Sequence, residues 1–333
     1  MGKRVVKAIL PVAGLGTRLL PATKSIPKEI VTLVDRPLIQ YAIDEGRAAG
    51  IEQFILVTSR GKNSLEDYFD RSPHLENTLL EQGKTDRLDD LSVATSASGE
   101  IVYVRQYELL GLGHAVWCAR KLIANEPFAV MLTDDIIVGR NPCLGALMDV
   151  HDSTGGNVVA LMETTPESVP SYGIVEPAAI DGRLVTITGM VEKPEPGSAP
   201  SNLAVVGRYI LTPRVLDHLD RMQLDPDQDS EIQLTDAIAA ETATENGVFG
   251  YLFEGERHDC GSKAGYLNAT VAIALGRSDL RDAFLQTLTD TVERARSDGP
   301  PTRTPNALTG GTEPRNARLS DPIGGSVNSA QHG

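Results

Sequence analysis

The sequence predicts an α/β fold: a mostly parallel sheet with helices on both faces, followed by a smaller strand-rich part. Two observations carry this. Up to residue 133, short apolar runs alternate with stretches of helical periodicity, the order that builds a parallel sheet covered on both sides. From residue 157 to 211 the pattern turns strand-rich, with turns marked by Asp181-Gly182 and Gly197-Ser198.

Taken in order, residues 5–12, 54–58, 101–105 and 128–133 read as buried strands. Residues 38–49 and 114–123 between them read as helices. Pro37 suits the start of the first helix, and Gly50 sits where a helix-ending glycine belongs. Residues 62–100 interrupt the alternation. Leu75, Leu79 and Leu80, then Leu88 and Leu91, predict two short amphipathic helices rich in Asp and Glu. Two readings stand for this insertion: a solvated surface excursion, or part of a subunit interface. Helical patterns return at 213–219 and 232–243, a last strand at 248–253, and helices at 263–275 and 279–296. Residues 297–333 carry five prolines, no aromatic residue and much Gly, Ser, Thr and Asn, a composition that cannot bury enough apolar surface to order itself. The expected organisation is one domain over 1–296 and a disordered tail over 297–333.

The chemistry concentrates in residues 11–29. This loop follows the first strand and packs Gly14, Gly16, Arg18, Lys24 and Lys28 together. Glycines let backbone N–H groups approach a ligand, and N–H groups beside fixed cations suit a polyphosphate. The glycine spacing alone fits an ordinary strand-to-helix turn equally well. Residues 1–36 nevertheless hold seven basic side chains against two acidic, in a chain of net charge −14. In a Rossmann-like sheet, ligands bind at the carboxyl ends of the strands. The glycine loop, Gln106 after the third strand and Asp134-Asp135 after the fourth all fall on that edge.

Composition excludes other classes. The acidic balance argues against nucleic acid as a partner. No apolar run approaches the ~18 residues of a membrane span. The N-terminus passes straight into a strand, without a secretory pattern. Cys118, Cys143 and Cys260 are too few and scattered for a disulfide framework or a zinc site, so a reducing cytoplasm is the expected location.

The run Gly14 to Glu29, G-x-G-T-R-x-x-P-x-T-x-x-x-P-K-E, resembles the signature of the sugar-1-phosphate nucleotidylyltransferases. The resemblance continues in order to about residue 275. It takes in Gly111-Leu112-Gly113-His114-Ala115, Asp134-Asp135, Tyr172-Gly173, Glu192-Lys193-Pro194, Val206-Gly207-Arg208-Tyr209, Glu231-Ile232-Gln233-Leu234-Thr235-Asp236 and His258-Asp259-Cys260-Gly261. It implies a nucleotidyltransferase fold whose strand-rich part binds sugar. It further implies Mg²⁺-dependent transfer of a uridylyl group from UTP to glucose 1-phosphate, giving UDP-glucose and pyrophosphate, in a homodimer or homotetramer. The alternatives are thymidylyl transfer and a non-catalytic paralogue that binds nucleotide sugars. Thymidylyl-transferring relatives usually continue Lys-Gln where this chain has Lys28-Glu29.

By the same resemblance, Ala13, Gly14, Gly16, Thr17 and Glu29 form the nucleotide loop. Arg18 is assigned to the β- and γ-phosphates and Lys28 to the phosphates at the reacting centre. For both, a surface ion pair is the competing reading. Gln106 reads the pyrimidine edge, with Gly111 and Gly113 packed against the base and His114 either structural or in contact with the nucleotide. Lys193 holds the phosphate of the sugar phosphate and Glu192 the glucose hydroxyls, while Tyr172, Gly173, Val206 and Gly207 close around the sugar. Asp134 ends an apolar strand, where an unpaired carboxylate is costly unless a cation meets it. Asp134 and Asp259 are the implied Mg²⁺ ligands, with Asp135 open as a competitor for Asp134.

Overall fold

The computed structural model describes residues 3–195, 197–224 and 231–298. The first strand, β1 (Lys7–Pro11), leads through three short 3-10 turns into a small hairpin, β2 (Thr32–Leu33) and β3 (Arg36–Pro37). Helix α1 (Leu38–Ala49) starts directly after Pro37 and ends at Gly50. Gly50 takes φ 92° and donates its N–H to the last-turn carbonyls of Gly46 and Arg47. Strand β4 (Gln53–Thr58) follows. The insertion folds into α2 (Asn63–Phe69), α3 (Pro73–Glu81) and α4 (Asp86–Ala94). Leu65 and Phe69 anchor α2, whereas no residue of α3 or α4 is buried.

Strand β5 (Ile101–Arg105) precedes α5 (Gly111–Cys118) and the single turn α6 (Arg120–Ile123). The helix expected over 114–123 thus begins three residues earlier and breaks at Ala119. Then come β6 (Phe128–Met131), β7 (Asp135–Val138), α7 (Cys143–Thr154) and β8 (Asn157–Glu163). The strand-rich stretch gives the hairpin β9 (Gly173–Asp181) and β10 (Leu184–Glu192), turning at Asp181-Gly182, and then β11 (Leu203–Leu211). Helices α8 (Arg214–Gln223) and α9 (Leu234–Ala239), strands β12 (Val248–Leu252) and β13 (Glu256–Asp259), and helix α10 (Lys263–Gly276) complete this part.

Nine strands form one sheet in the order β5-β4-β1-β6-β11-β8-β12-β10-β9. The four expected strands β5, β4, β1 and β6 are parallel neighbours. Strand β11 then runs antiparallel between β6 and β8, and the β9–β10 hairpin closes the far edge. The strand-rich part is therefore a continuation of the same sheet. β7 and β13 pair separately as a two-stranded ribbon.

Alternation along each strand feeds two cores. On one face Ile9, Ile55 and Val130 pack with Val116 of α5, Leu219 of α8 and Ile238 of α9. On the other, Leu10, Leu56 and Met131 pack with Ile43 of α1, Leu65 of α2 and Leu147 of α7. Each such side chain, fully buried, contributes about 1.5–3 kcal/mol. Strands buried on both faces become continuous apolar runs, which is why they were visible in the sequence.

The chain divides into two compact units, Met1–Gly276 and Arg277–Gly333. In the second, α11 (Arg281–Ser297) has no buried residue. Beyond Asp298, the tail expected to be disordered lies outside the described residues. No helix among the described residues is long and apolar enough to cross a membrane.

Candidate active site

The loop after β1 turns at Gly16, whose φ of 66° lies in the left-handed region. Its carbonyl accepts the Thr23 hydroxyl at 2.8 Å, which ties the loop to itself. Two 3-10 turns later, Lys28 reaches back over the carboxyl end of β6. There its Nζ donates to Asp134 Oδ2 at 2.7 Å. Arg18 meets the same cluster loosely, with Nη2 3.8 Å from Asp134 and Nη1 3.5 Å from Asp259. The Arg18 side chain is 63% exposed, so these long pairings hold it weakly and leave the guanidinium able to swing to a ligand.

Asp134 and Asp259 lie far apart in sequence, and the β7–β13 ribbon brings them together. Asp259 pairs with Asp135 in its register, and the Cys260 N–H donates to the Asp134 carbonyl at 2.8 Å. Their carboxylates converge over Gly261: a Cβ there would lie 2.8 Å from Asp134 Oδ2 and 3.0 Å from Asp259 Oδ1. Burial works against the charge on Asp134, but Lys28, its hydrogen bond and Arg18 outweigh this and hold the carboxyl below its usual pKa. Burial likewise opposes the Lys28 ammonium, and Asp134 and Glu29 overcome it, so its pKa stands above the usual lysine value. Both groups stay charged across the neutral range.

Asp135 has a different environment. It is buried, and Arg257 donates to its Oδ1 through Nε at 2.9 Å and also through Nη2. The Gly207 N–H donates to its Oδ2 at 2.7 Å. Asp135 touches the smaller of two cavities, but both its oxygens are engaged by the scaffold, whereas Asp134 lines both cavities. Among the described residues no three His, Cys, Asp or Glu side chains are grouped to hold a metal by themselves. Two carboxylates with room for phosphate oxygens and water are the donor set that Mg²⁺ takes. Asp134 and Asp259 fit that demand.

Two cavities open on either side of Asp134. One, of about 530 Å³, is lined by Ala13, Gly14, Gly16, Thr17, Gln106 and Gly111 among others. The other, of about 280 Å³, is lined by Tyr172, Gly173, Glu192, Gly207, Thr235 and Arg257 among others. Asp134, Leu112 and Leu132 belong to both. Lys28 lines the first, and Arg18 and Asp259 line the second. In the second, the Thr235 hydroxyl donates to Glu192 Oε2 at 2.7 Å. Arg257 donates to the Tyr172 hydroxyl at 2.9 Å and lies over its ring.

Five predicted site residues are not cavity walls. Glu29 is fully buried and turns inward from its 3-10 turn, where Lys62 Nζ donates to both carboxylate oxygens at 2.8 and 3.1 Å. Val206 packs in the core beneath the sheet, because strand alternation puts Val205, Gly207 and Tyr209 on the cavity side instead. Gly113 is required by packing: its N–H donates to the Ile232 carbonyl at 2.8 Å, and a Cβ there would stand 2.7 Å from that oxygen. His114 is buried behind Gln106, with Nδ1 3.1 Å from the Gln106 amide nitrogen. Lys193 is exposed beside the second cavity, its Nζ 3.5 Å from Glu192, and its backbone holds φ 45°, a conformation rare outside glycine.

Glu231, Gln233, Thr235 and Arg257 also line the cavities, beyond the residues the sequence predicts. The first three lie in a segment matched to the family signature, and Arg257 stands two residues before Asp259. That proximity was the available signal.

The family model described as "Nucleotidyl transferase" matches residues 7–275. A UTP–glucose-1-phosphate uridylyltransferase of Komagataeibacter xylinus is 52% identical over 263 residues, 79% of this chain and 92% of that protein. A solved structure of a UTP-bound UGPase from Acinetobacter baumannii is 42% identical with a TM-score of 0.78, covering 86% of this chain and 99% of the other. A UDP-glucose pyrophosphorylase complexed with UDP-glucose is 41% identical with a TM-score of 0.71, covering 82% and 100%. The sheet, the glycine loop and these similarities agree, and the chain belongs to the nucleotidyl transferase family, alongside the UTP–glucose-1-phosphate uridylyltransferases.

Proposed function

We propose that this chain transfers the uridylyl group of UTP to glucose 1-phosphate, forming UDP-glucose and releasing pyrophosphate. The observation that carries this is the pair of cavities joined at Asp134, one framed by the glycine loop and Gln106, the other by Glu192, Thr235 and Tyr172. A two-substrate transfer between polyanions needs two adjoining pockets with cations at the junction. The relatives' names support uracil as the base and glucose as the sugar. They do not favour thymidylyl transfer or a non-catalytic role.

In this reading a phosphate oxygen of glucose 1-phosphate bonds to the α-phosphorus of UTP. The bond from that phosphorus to the β-bridging oxygen breaks, and its electron pair leaves on pyrophosphate. The nucleophile is ionised at neutral pH, so the site needs no general base. Its work is to orient two anions and neutralise charge. Lys28 holds the α-phosphate region, Arg18 follows the departing β- and γ-phosphates, and Lys193 swings in to hold the sugar phosphate. Glu192, fixed by Thr235, accepts from glucose hydroxyls. Asp134 and Asp259 would hold Mg²⁺, which when bound draws charge from the phosphate oxygens.

The test is pyrophosphate release from UTP or dTTP with glucose 1-phosphate, with and without Mg²⁺. Release from UTP that needs the metal is expected. No release with either nucleotide overturns the reading, and a clear dTTP preference redirects it.

A further inference from the structure

The buried Gln106 amide is held from two sides. Its nitrogen lies 3.2 Å from the Gly111 carbonyl oxygen and 3.1 Å from His114 Nδ1. A main-chain carbonyl only accepts, so the amide atom facing it is the nitrogen. That same nitrogen faces His114, so Nδ1 accepts as well. The imidazole is therefore neutral, with its proton on Nε2 toward Cys118 Sγ at 3.8 Å. Both amide hydrogens are engaged within the protein. The remaining atom, Oε1, meets no donor among the described residues, and Gln106 lines the cavity beside the glycine loop.

We propose that His114 is a positioning residue for base selection: its unprotonated Nδ1 keeps the Gln106 amide oxygen toward the base, so the site selects uracil over cytosine. The proposal rests on the uridylyl-transfer reading above. Uracil offers an N3–H donor to that oxygen, whereas cytosine offers a bare N3 acceptor. An oxygen that cannot turn away leaves cytosine facing a like dipole in a buried place. His114 itself does not line the cavity, so it acts through Gln106 alone.

The arrangement carries its own reporter. Trp117, the only tryptophan, stacks on His114 with ring centroids 5.5 Å apart at 22°. A charged imidazolium in that contact quenches indole emission. Burial lowers the His114 pKa, the backbone and charge of Glu108 oppose this, and Arg120 adds to it. Cys118 faces Nε2, and Asp220 of α8 binds the Trp117 indole N–H. Protonation makes Nδ1 a donor against the amide nitrogen and sets His114 against Gly111 in orienting Gln106.

The experiment measures equilibrium binding of UDP-glucose and CDP-glucose, ligands whose diphosphates do not titrate in the range used. The wild-type chain is compared with His114→Phe, which keeps a ring on Trp117 but removes the acceptor, and with His114→Asn, whose Oδ1 can replace Nδ1. His114→Phe should narrow the ratio of the two Kd values by roughly tenfold, and His114→Asn should restore it. On acidification wild-type UDP-glucose affinity should fall together with Trp117 emission, at a midpoint below the usual histidine value, while His114→Asn stays flat. A folded His114→Phe that keeps the wild-type ratio overturns the proposal. If His114→Phe does not fold, a wild-type affinity that ignores the Trp117 titration overturns it. A wild-type chain that binds neither ligand overturns the uridylyl-transfer reading instead.

Discussion

Replacing Lys62 by Met should destabilise the fold far more than loss of one surface lysine would. Glu29 is 0% and Lys62 7% exposed, and two contacts of 2.8 and 3.1 Å join them. At 2.8 Å and an effective dielectric of about 20, the attraction is about 6 kcal/mol. Desolvation of both groups offsets much of it in the native protein. Removing only the lysine keeps the cost of burying the carboxylate and forfeits the attraction, a loss of about 3–5 kcal/mol. The escape is protonation. Burial already holds the Glu29 carboxyl above its usual pKa against the pull of Lys62 and Lys28. Without Lys62 it rises further. A carboxyl whose folded pKa exceeds its unfolded value stabilises the fold below the unfolded pKa, and that contribution disappears as pH rises through the folded pKa. The Lys62→Met deficit should therefore be small near pH 4 and grow toward pH 8. Urea unfolding of the full chain at both pH values reads this directly. The double variant Glu29→Gln/Lys62→Met should recover most of the loss. A deficit below about 1 kcal/mol at pH 8, or one that does not change with pH, would refute the reasoning.

Two further substitutions probe the cavities. Arg18→Ala should lower turnover by about 10²-fold or more while leaving UDP-glucose affinity nearly unchanged, because UDP-glucose lacks the phosphates that leave. Equal losses in both would contradict the placement of Arg18. At Gly207 an added Cβ would stand 2.6 Å from Leu132 Cβ and 2.8 Å from Asp135 Oδ2. Gly207→Ala should cost about 1–3 kcal/mol of stability and weaken glucose 1-phosphate more than UTP. An unchanged melting temperature together with unchanged kinetics would show that the strand yields there.

Much of the nucleotide half was legible in the sequence, because its signals are local. Pro37 and Gly50 bracket α1 at the residues the sequence marked. The apolar runs before Gly14, Gln106 and Asp134 placed those segments on one sheet edge, which is where they stand. What escaped was non-local. Nothing near Glu29 announces that its partner is Lys62, 33 positions later. The insertion of β11 between β6 and β8 depends on non-local pairing, Arg208 with Met131 on one side and Leu203 with Glu163 on the other, which no periodicity records. In β11 every residue is buried, so the apolar pattern carries no phase. A register irregularity between Val206 and Tyr209 blurs the phase further, so Val205, not the expected Val206, lines the cavity. Gly113 and His114 were seen as part of a motif, but the motif does not say whether a residue touches a ligand or steadies one that does.

The antiparallel pairing of β11 with β6 has a mechanical consequence. Gly207 of β11 lines the smaller cavity, and Leu132, just past β6, donates its N–H to the Gly207 carbonyl at 2.9 Å. The two cavities therefore share a single hydrogen-bonded floor, whose neighbouring strands lie ~4.8 Å apart. Such a floor has no hinge between them. Moving one cavity wall against the other would break the pairing of β11 with β6, so the sheet fixes their spacing. Any gating is left to the parts that rise from the floor: the Thr17–Leu19 turn carrying Arg18, the turn before Tyr172, and the strained backbone at Lys193.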